Sequence, residues 1–317
     1  MRNHFKRLKY LFKLNHSMTS RLVKLIKVYD KAPHNAFTDI ALFKGYYYIV
    51  FRGGSAHSSY DGRIIVVRSK DLTTWEEVAR LSTRYDDRDP HLLVFENRLF
   101  VYFACRSPEP PYQHTRVCWS EDGSNFSEAI KVYEDWYRLW RPKVHGKSIY
   151  CAAYDVRGNL KSCLLRSENA IHWSHVSTIY EGDRANETEI VFLDGEILAL
   201  VRREGGERTA AICRSQPPYT SWKKWELNEV LQGQAMFPFN GRILVASRVY
   251  IHGKAKTCLQ ILEPETLSLK PVLILPSGGD TSYPGILLLD HNKFAISYYS
   301  SHEGKSSIYL AMVVIHA

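Results

Sequence analysis

The chain has 317 residues, is 45% hydrophobic and 24% charged, and carries a formal net charge of +9; this fits an ordinary globular core and excludes a disordered or collagen-like chain. The positive charge is local, since residues 1–28 hold eight Lys or Arg and no acid, which leaves 34 basic against 33 acidic residues in the remainder. A body so close to neutral excludes a nucleic-acid binder, whose affinity rests on clustered cations.

The opening segment has no apolar run long enough for a secretory signal or a membrane span. It reads as an upstream extension before a start at Met18, with a basic surface anchor or an organelle-targeting peptide as the other readings. Residues 1–20 are therefore expected to form a basic N-terminal extension and 21–317 one β domain. The six cysteines are scattered, none in a CxxC pair, so no metal-site spacing appears and a reducing, cytoplasmic compartment is expected.

From there the chain repeats itself. A turn between apolar runs recurs at Lys44-Gly45, Glu96-Asn97, His145-Gly146, Asp194-Gly195, Asn240-Gly241 and His291-Asn292, about every fifty residues. A short strand precedes each turn, and a strand rich in aromatic or β-branched residues follows it, which predicts six hairpins. A third strand then runs, in the first four units, into a polar turn with an aromatic close behind: RSKDLTTW, WSEDGSNF, RSENAIHW and RSQPPYTSW. A fourth short strand usually follows. Four antiparallel strands per unit, six times, predict an all-β fold, a six-bladed β-propeller. A β-sandwich gives no account of six equal units. The last unit ends in a third strand, SIYLAMVVIHA, while the domain begins with the unpaired RLVKLIKVY, so the two ends are expected to complete one sheet.

In the fourth unit, the Asp194-Gly195 turn brings Glu187 near Arg202 and Arg203, so that a carboxylate and a guanidinium share one rim. Inner strands start close to the axis, which predicts that Arg88, Asp89, Arg141 and Glu187 converge. Arg52 and Arg248 end second strands near the same mouths. Arginines around an acidic group point to an anionic ligand.

The polar turns are similar to the Asp-box of sialidases, in degenerate form, as Ser69-Lys-Asp71-Leu-Thr-Thr-Trp75 and Ser120-Glu-Asp122-Gly-Ser-Asn-Phe126. The order Asp89-Pro90, Glu187, Arg202 fifteen residues later, and Tyr283 within SYPG resembles the sialidase superfamily over residues 21–317. The resemblance implies Tyr283 as nucleophile, Glu187 as its base, and Arg202 as one of three arginines that clamp the sugar carboxylate. The clamp departs from the family pattern: the segment matching its first Arg reads His34-Asn35-Ala36-Phe37, and the third falls near Lys254-Ala255-Lys256. Arg52, Arg88, Arg141 and Arg248 are the candidate substitutes. For the acid/base the resemblance favours a loop residue, hence Asp61 in SAHSSYDGR, with Asp89 second and His57 third.

These readings predict an exo-acting retaining glycosidase for a terminal acidic sugar, with no metal or organic cofactor. An acidic glycan is the expected partner, and the sequence is silent on oligomeric state. Two alternatives stand beside it: a propeller that binds a glycan or protein without chemistry, and a glycosidase of neutral or uronic sugars using Asp89 and Glu187 as a carboxylate pair.

Overall fold

A computed structural model describes residues 19–110, 112–158 and 160–316, so most of the basic N-terminal extension lies outside the described residues. Those residues form six four-stranded antiparallel sheets in a ring, a six-bladed β-propeller with no helix among them. Blade one contains β2 (His34–Phe43), β3 (Tyr46–Gly54), β4 (Arg63–Ser69) and β5 (Glu76–Leu81). Blade two contains β6 (Asp86–Phe95), β7 (Arg98–Arg106), β8 (Gln113–Ser120) and β9 (Ile130–Lys131). Blade three contains β10 (Tyr137–His145), β11 (Ser148–Asp155), β12 (Lys161–Ser167) and β13 (Ser174–Glu181). Blade four contains β14 (Ala185–Leu193), β15 (Glu196–Arg203), β16 (Ala211–Ser215) and β17 (Lys223–Glu226). Blade five contains β18 (Gln232–Phe239), β19 (Arg242–Ile251), β20 (Lys254–Glu263) and β21 (Ser268–Ile274). Blade six contains β22 (Thr281–Asp290), β23 (Lys293–Ser300), β24 (Ser307–His316) and, as its outer strand, β1 (Thr19–Tyr29).

The ring closes as the sequence predicts, β1 pairing antiparallel with β24 from Thr19 opposite His316 to Tyr29 opposite Ile308. Five hairpin turns fall at the expected dipeptides. The third is shifted by one residue to Gly146-Lys147, because His145 still pairs with Ser148.

Alternation along the strands builds the core. In β15, Ile197, Ala199 and Val201 face blade three while Leu198 and Leu200 face blade five. Both faces of a blade are buried, which is why such strands read as continuous apolar runs rather than alternating ones. Six apolar clusters result, one at each junction between neighbouring blades. At the polar turns, one Asp71 oxygen accepts the Thr73 and Thr74 amides at 2.8 Å, and Asp122 does the same for Ser124 and Asn125. Asn169 supplies the equivalent oxygen in blade three.

The innermost strand of every blade carries a bulge at one equivalent place. Two residues stand against one between Ala36 and Asp39, Arg88 and His91, Trp140 and Lys143, Ala185 and Thr188, Gln232 and Ala235, and Ser282 and Gly285. In five blades the first bulge residue has positive φ: Phe37, Asp89, Arg141, Gly233 and Tyr283. The second is proline in three of them, Pro90, Pro142 and Pro284, and at a bulge a missing N–H costs the ladder nothing. These bulges ring one end of the central axis.

Candidate active site

A cavity of about 300 Å3 opens there, lined by Phe37, Asp89, Asn186, Glu187 and Tyr283 from the bulges, with His57, Arg88, Gln113, Arg138, Tyr154, Val156 and Arg202 around them. That volume lies at the small end of ligand pockets, which run from about 300 to 1,000 Å3.

Glu187 and Tyr283 meet at its base. The Tyr283 hydroxyl donates to Glu187 Oε1 at 2.6 Å, while Glu187 Oε2 accepts from an Arg202 NH group at 2.7 Å and from the Gly233 amide at 3.0 Å. The same Arg202 nitrogen stands 3.0 Å from the Tyr283 oxygen. Arg202 is the single β15 residue opposite the two-residue bulge of β14, so the hairpin that spaces it fifteen residues from Glu187 also delivers it to the carboxylate. Gly233 belongs to the equivalent bulge of blade five. A Cβ there would lie 2.6 Å from the Tyr283 ring, so glycine leaves the space the phenol occupies.

The electrostatics follow from this contact set. Burial works to raise the Glu187 pKa, but the Arg202 charge, the Tyr283 hydroxyl and the Gly233 amide outweigh it and hold the carboxyl below its usual range. Burial, and then the negative charge of Glu187, raise the Tyr283 phenol, against the opposing pull of Arg202 and Arg248. The resting pair is thus a neutral phenol donating to a carboxylate. Such a pair can pass the phenolic proton to Glu187 as the oxygen attacks an electrophilic carbon.

Two of the expected arginines, Arg88 and Arg202, line the cavity. Arg138 joins them, donating to Asp89 Oδ2 at 3.0 Å and also to Gln113, and the sequence reading missed it. The reading placed Arg141 there instead. Arg141 crosses the axis, bonding Asp39 Oδ1 at 2.7 Å and the Pro284 carbonyl at 2.6 Å, with Glu189 3.4 Å away. Arg141 is itself the first residue of the β10 bulge, and the buried carboxylates Asp39 and Glu189 draw it away, while the cavity-facing arginine of β10 lies three residues earlier, before the bulge.

Arg52 and Arg248 do not line the cavity either. Arg52 is fully buried, with Nε on Asp86 Oδ1 at 2.7 Å and its other nitrogens on the carbonyls of Ala56 and Ser59. Arg248 lies over the Tyr283 ring at 5.6 Å and donates to the Thr281 carbonyl and the Tyr299 hydroxyl. Arg203, expected beside Glu187, turns outward to Glu226 and Asp183. Asp61 sits outside the cavity, where its carboxylate accepts the Ser55 amide and hydroxyl at 3.1 Å. His57 does reach the cavity, as do Phe37, Gln113, Tyr154 and Asn186, which the sequence reading did not single out.

No protein-family model matches the chain, and no curated protein matches it by sequence. Among solved structures, it is similar to a protein of unknown function from Dyadobacter fermentans, at 18% identity and a TM-score of 0.79, over 94% of this chain and 99% of that one. It is similar to an α-L-arabinofuranosidase of Fusarium graminearum, solved with an iminosugar inhibitor, at 12% identity and a TM-score of 0.71, over 92% of this chain and 98% of that one. A Trypanosoma rangeli sialidase in complex with the inhibitor DANA gives 11% identity and a TM-score of 0.71, over 93% of this chain and 59% of that one. What the chain shares with all three is the fold, a six-bladed propeller.

Proposed function

We propose that this cavity is the active site of an exo-acting glycoside hydrolase that removes a terminal acidic sugar with retention. The observation that carries the reading is the Tyr283–Glu187 hydrogen bond of 2.6 Å with Arg202 on both partners, at the end of the propeller axis. An anionic nucleophile would be repelled by an anionic sugar. A neutral phenol that gives up its proton only during attack avoids that repulsion, and Arg88, Arg138 and Arg202 supply the positive wall for the sugar's acid group. Of the wall, only Arg202 stands at a position of the family clamp, whereas Arg88 and Arg138 come from elsewhere, so the preferred sugar is an acidic one other than ordinary N-acetylneuraminic acid. The six described cysteines are all unpaired and buried, which supports a reducing, cytoplasmic location.

One observation favours a second reading. Each arginine of the wall already faces a carboxylate: Arg202 faces Glu187 and Glu204, Arg138 faces Asp89, and Arg88 faces Asp86 and Asp89. A neutral or uronic sugar handled by the Asp89 and Glu187 carboxylates fits that balance, and the likeness to an arabinofuranosidase agrees with it.

The test is a panel of aryl glycosides: nonulosonates, hexuronides and L-arabinofuranosides. The first reading expects turnover of a nonulosonate, lost by roughly 10³-fold or more in Tyr283→Phe, and weaker binding in Arg202→Ala. Turnover confined to neutral or uronic glycosides, kept in Tyr283→Phe and lost in Asp89→Asn, selects the second. Binding without any turnover selects a lectin-like propeller.

A further inference from the structure

We infer that His57, held by Asp280, is the group that gives a proton to the leaving aglycone and later takes one from water. The inference rests on the Tyr283–Glu187 reading above.

The loop between β3 and β4 is fixed from below by arginines. Arg52 holds the Ala56 and Ser59 carbonyls at 2.8 and 3.0 Å, Arg88 donates to the His57 carbonyl at 3.2 Å, and Arg106 donates to the Ser58 hydroxyl at 2.6 Å. Asp61 closes the loop on Ser55. Of residues 55–62, His57 alone lines the cavity.

Its ring is oriented from two sides. The edge packs against Phe37 and His34, each with ring centroids 5.3 Å away, and Phe37 in turn packs on Tyr283 at 4.9 Å. Nδ1 meets Asp280 Oδ2 at 2.6 Å. A carboxylate there makes Nδ1 the donor and fixes the orientation of the ring, as an orienting carboxylate does for a catalytic histidine generally. Nε2 bonds to none of the described residues and is left for a group in the cavity.

The charged neighbours are few. Asp280 also accepts from Tyr299 at 2.7 Å, meets His34 Nε2 at 2.9 Å, and has Arg248 at 3.4 Å. Burial works to raise the Asp280 carboxyl, but the bonds from His34, His57 and Tyr299 hold it well below the usual range, so a negative charge stands behind His57. Asp89, by contrast, is engaged by Arg138 at 3.0 Å with Arg88 3.7 Å away, an arrangement that orients two guanidiniums rather than presents an acid. The same His34, His57 and Asp280 atoms are close enough to hold a cation, but Arg248 beside the carboxylate opposes one.

The proton ledger closes. As the Tyr283 oxygen attacks the anomeric carbon, its proton passes to Glu187. The glycosidic C–O bond breaks with its electron pair on the aglycone oxygen, which takes the Nε2 proton of His57. In the second half, His57 Nε2 takes a proton from water as that oxygen attacks the carbon. The bond to Tyr283 breaks, and the phenol recovers its proton from Glu187.

The experiment compares dinitrophenyl and alkyl glycosides of whichever sugar in the panel the wild type cleaves. A dinitrophenolate leaves without protonation, whereas an alkoxide does not. His57→Ala is expected to lose about 10²–10⁴-fold on the alkyl glycoside, the scale of a removed general acid, and far less in the bond-breaking step with the aryl one. Added azide should restore turnover of the aryl glycoside and form a glycosyl azide, and Asp280→Asn, which frees the ring, should slow the alkyl glycoside more than the aryl one. An equal loss on both aglycones, or azide rescue in Asp89→Asn but not in His57→Ala, would overturn the assignment. If Tyr283→Phe also leaves turnover intact, or the wild type cleaves nothing, the underlying reading fails together with this one. His57 sits on an exposed loop, and an unchanged melting temperature in His57→Ala separates chemistry from folding.

Discussion

At the scale of single residues, two buried acids differ in what surrounds them. Glu187 is buried yet ionised because three donors converge on it. Its carboxyl lies lower in the folded chain than in the unfolded one, so it contributes stability above the unfolded pKa of about 4.3 that is lost as pH falls below it. Asp87 runs the other way. Burial pushes its carboxyl up to about 6, and the bonds from Thr83 offset only part of that. The folded chain therefore keeps a proton that the unfolded chain releases near pH 3.9. Stability from this group is complete below about pH 4 and falls as pH rises through 6, by up to about 3 kcal/mol for a shift of some two units. Urea denaturation at successive pH values checks it: the wild type should lose stability between pH 4.5 and 7, and the Asp87→Asn curve should be flatter over that range. Parallel curves for the two proteins would show that Asp87 does not carry the effect.

At the scale of the element, the bulge decides which side chains reach the axis. A regular inner strand would send every second residue inward. The extra residue instead places a backbone of positive φ at the mouth, and Tyr283, Asp89 and Phe37 enter the cavity from it. Gly233 is the silent member of this set. Alanine there would face a left-handed backbone, costing roughly 1–2 kcal/mol, and would also press on the Tyr283 ring. We expect Gly233→Ala to lower the melting temperature by several degrees and to cut kcat more than it raises KM, because the phenol rather than the arginine wall is displaced. An unchanged kcat would mean that Tyr283 does not need that space. The X-Pro pairs at Asp89-Pro90, Arg141-Pro142 and Tyr283-Pro284, fifty-two or more residues apart in register with the repeat, are the signal by which the bulges can be found from sequence. Arg138 carries no such mark. It lies before the β10 bulge, and its place shows only once Asp89 and Gln113 of the neighbouring blade are seen beside it.

At the scale of the whole molecule, the ring is held shut by one pairing. Its nine matched positions between β1 and β24 join the two ends of the described chain. Removing residues 1–17 should leave the melting temperature nearly unchanged, because the closing strand begins after Met18. Removing residues 1–29 exposes the β24 edge and one face of the Tyr29 cluster, and aggregation in place of a cooperative transition is expected. Equal behaviour of the two truncations, read by calorimetry and light scattering, would show that closure does not depend on this strand.

The sequence by itself determined the blade count, the hairpins, the closing strand and the Glu187–Arg202 pair. Each is written in local periodicity or in a turn that places near neighbours together, as Asp194-Gly195 does for Glu187 and Arg202. Tertiary structure alone decided which of several candidate charges share the cavity. Asp61 and Asp89 both lie near strand ends, but one closes its own loop on Ser55 while the other faces Arg138 from the next blade. Arg52 and Arg141 look like ligand-binding arginines until their partners Asp86 and Asp39 are seen to be buried with them. His57 gains its orientation from Asp280, 223 residues away. Which way a charged side chain turns depends on the partners that compensate its burial, and in a closed ring those partners come from other blades.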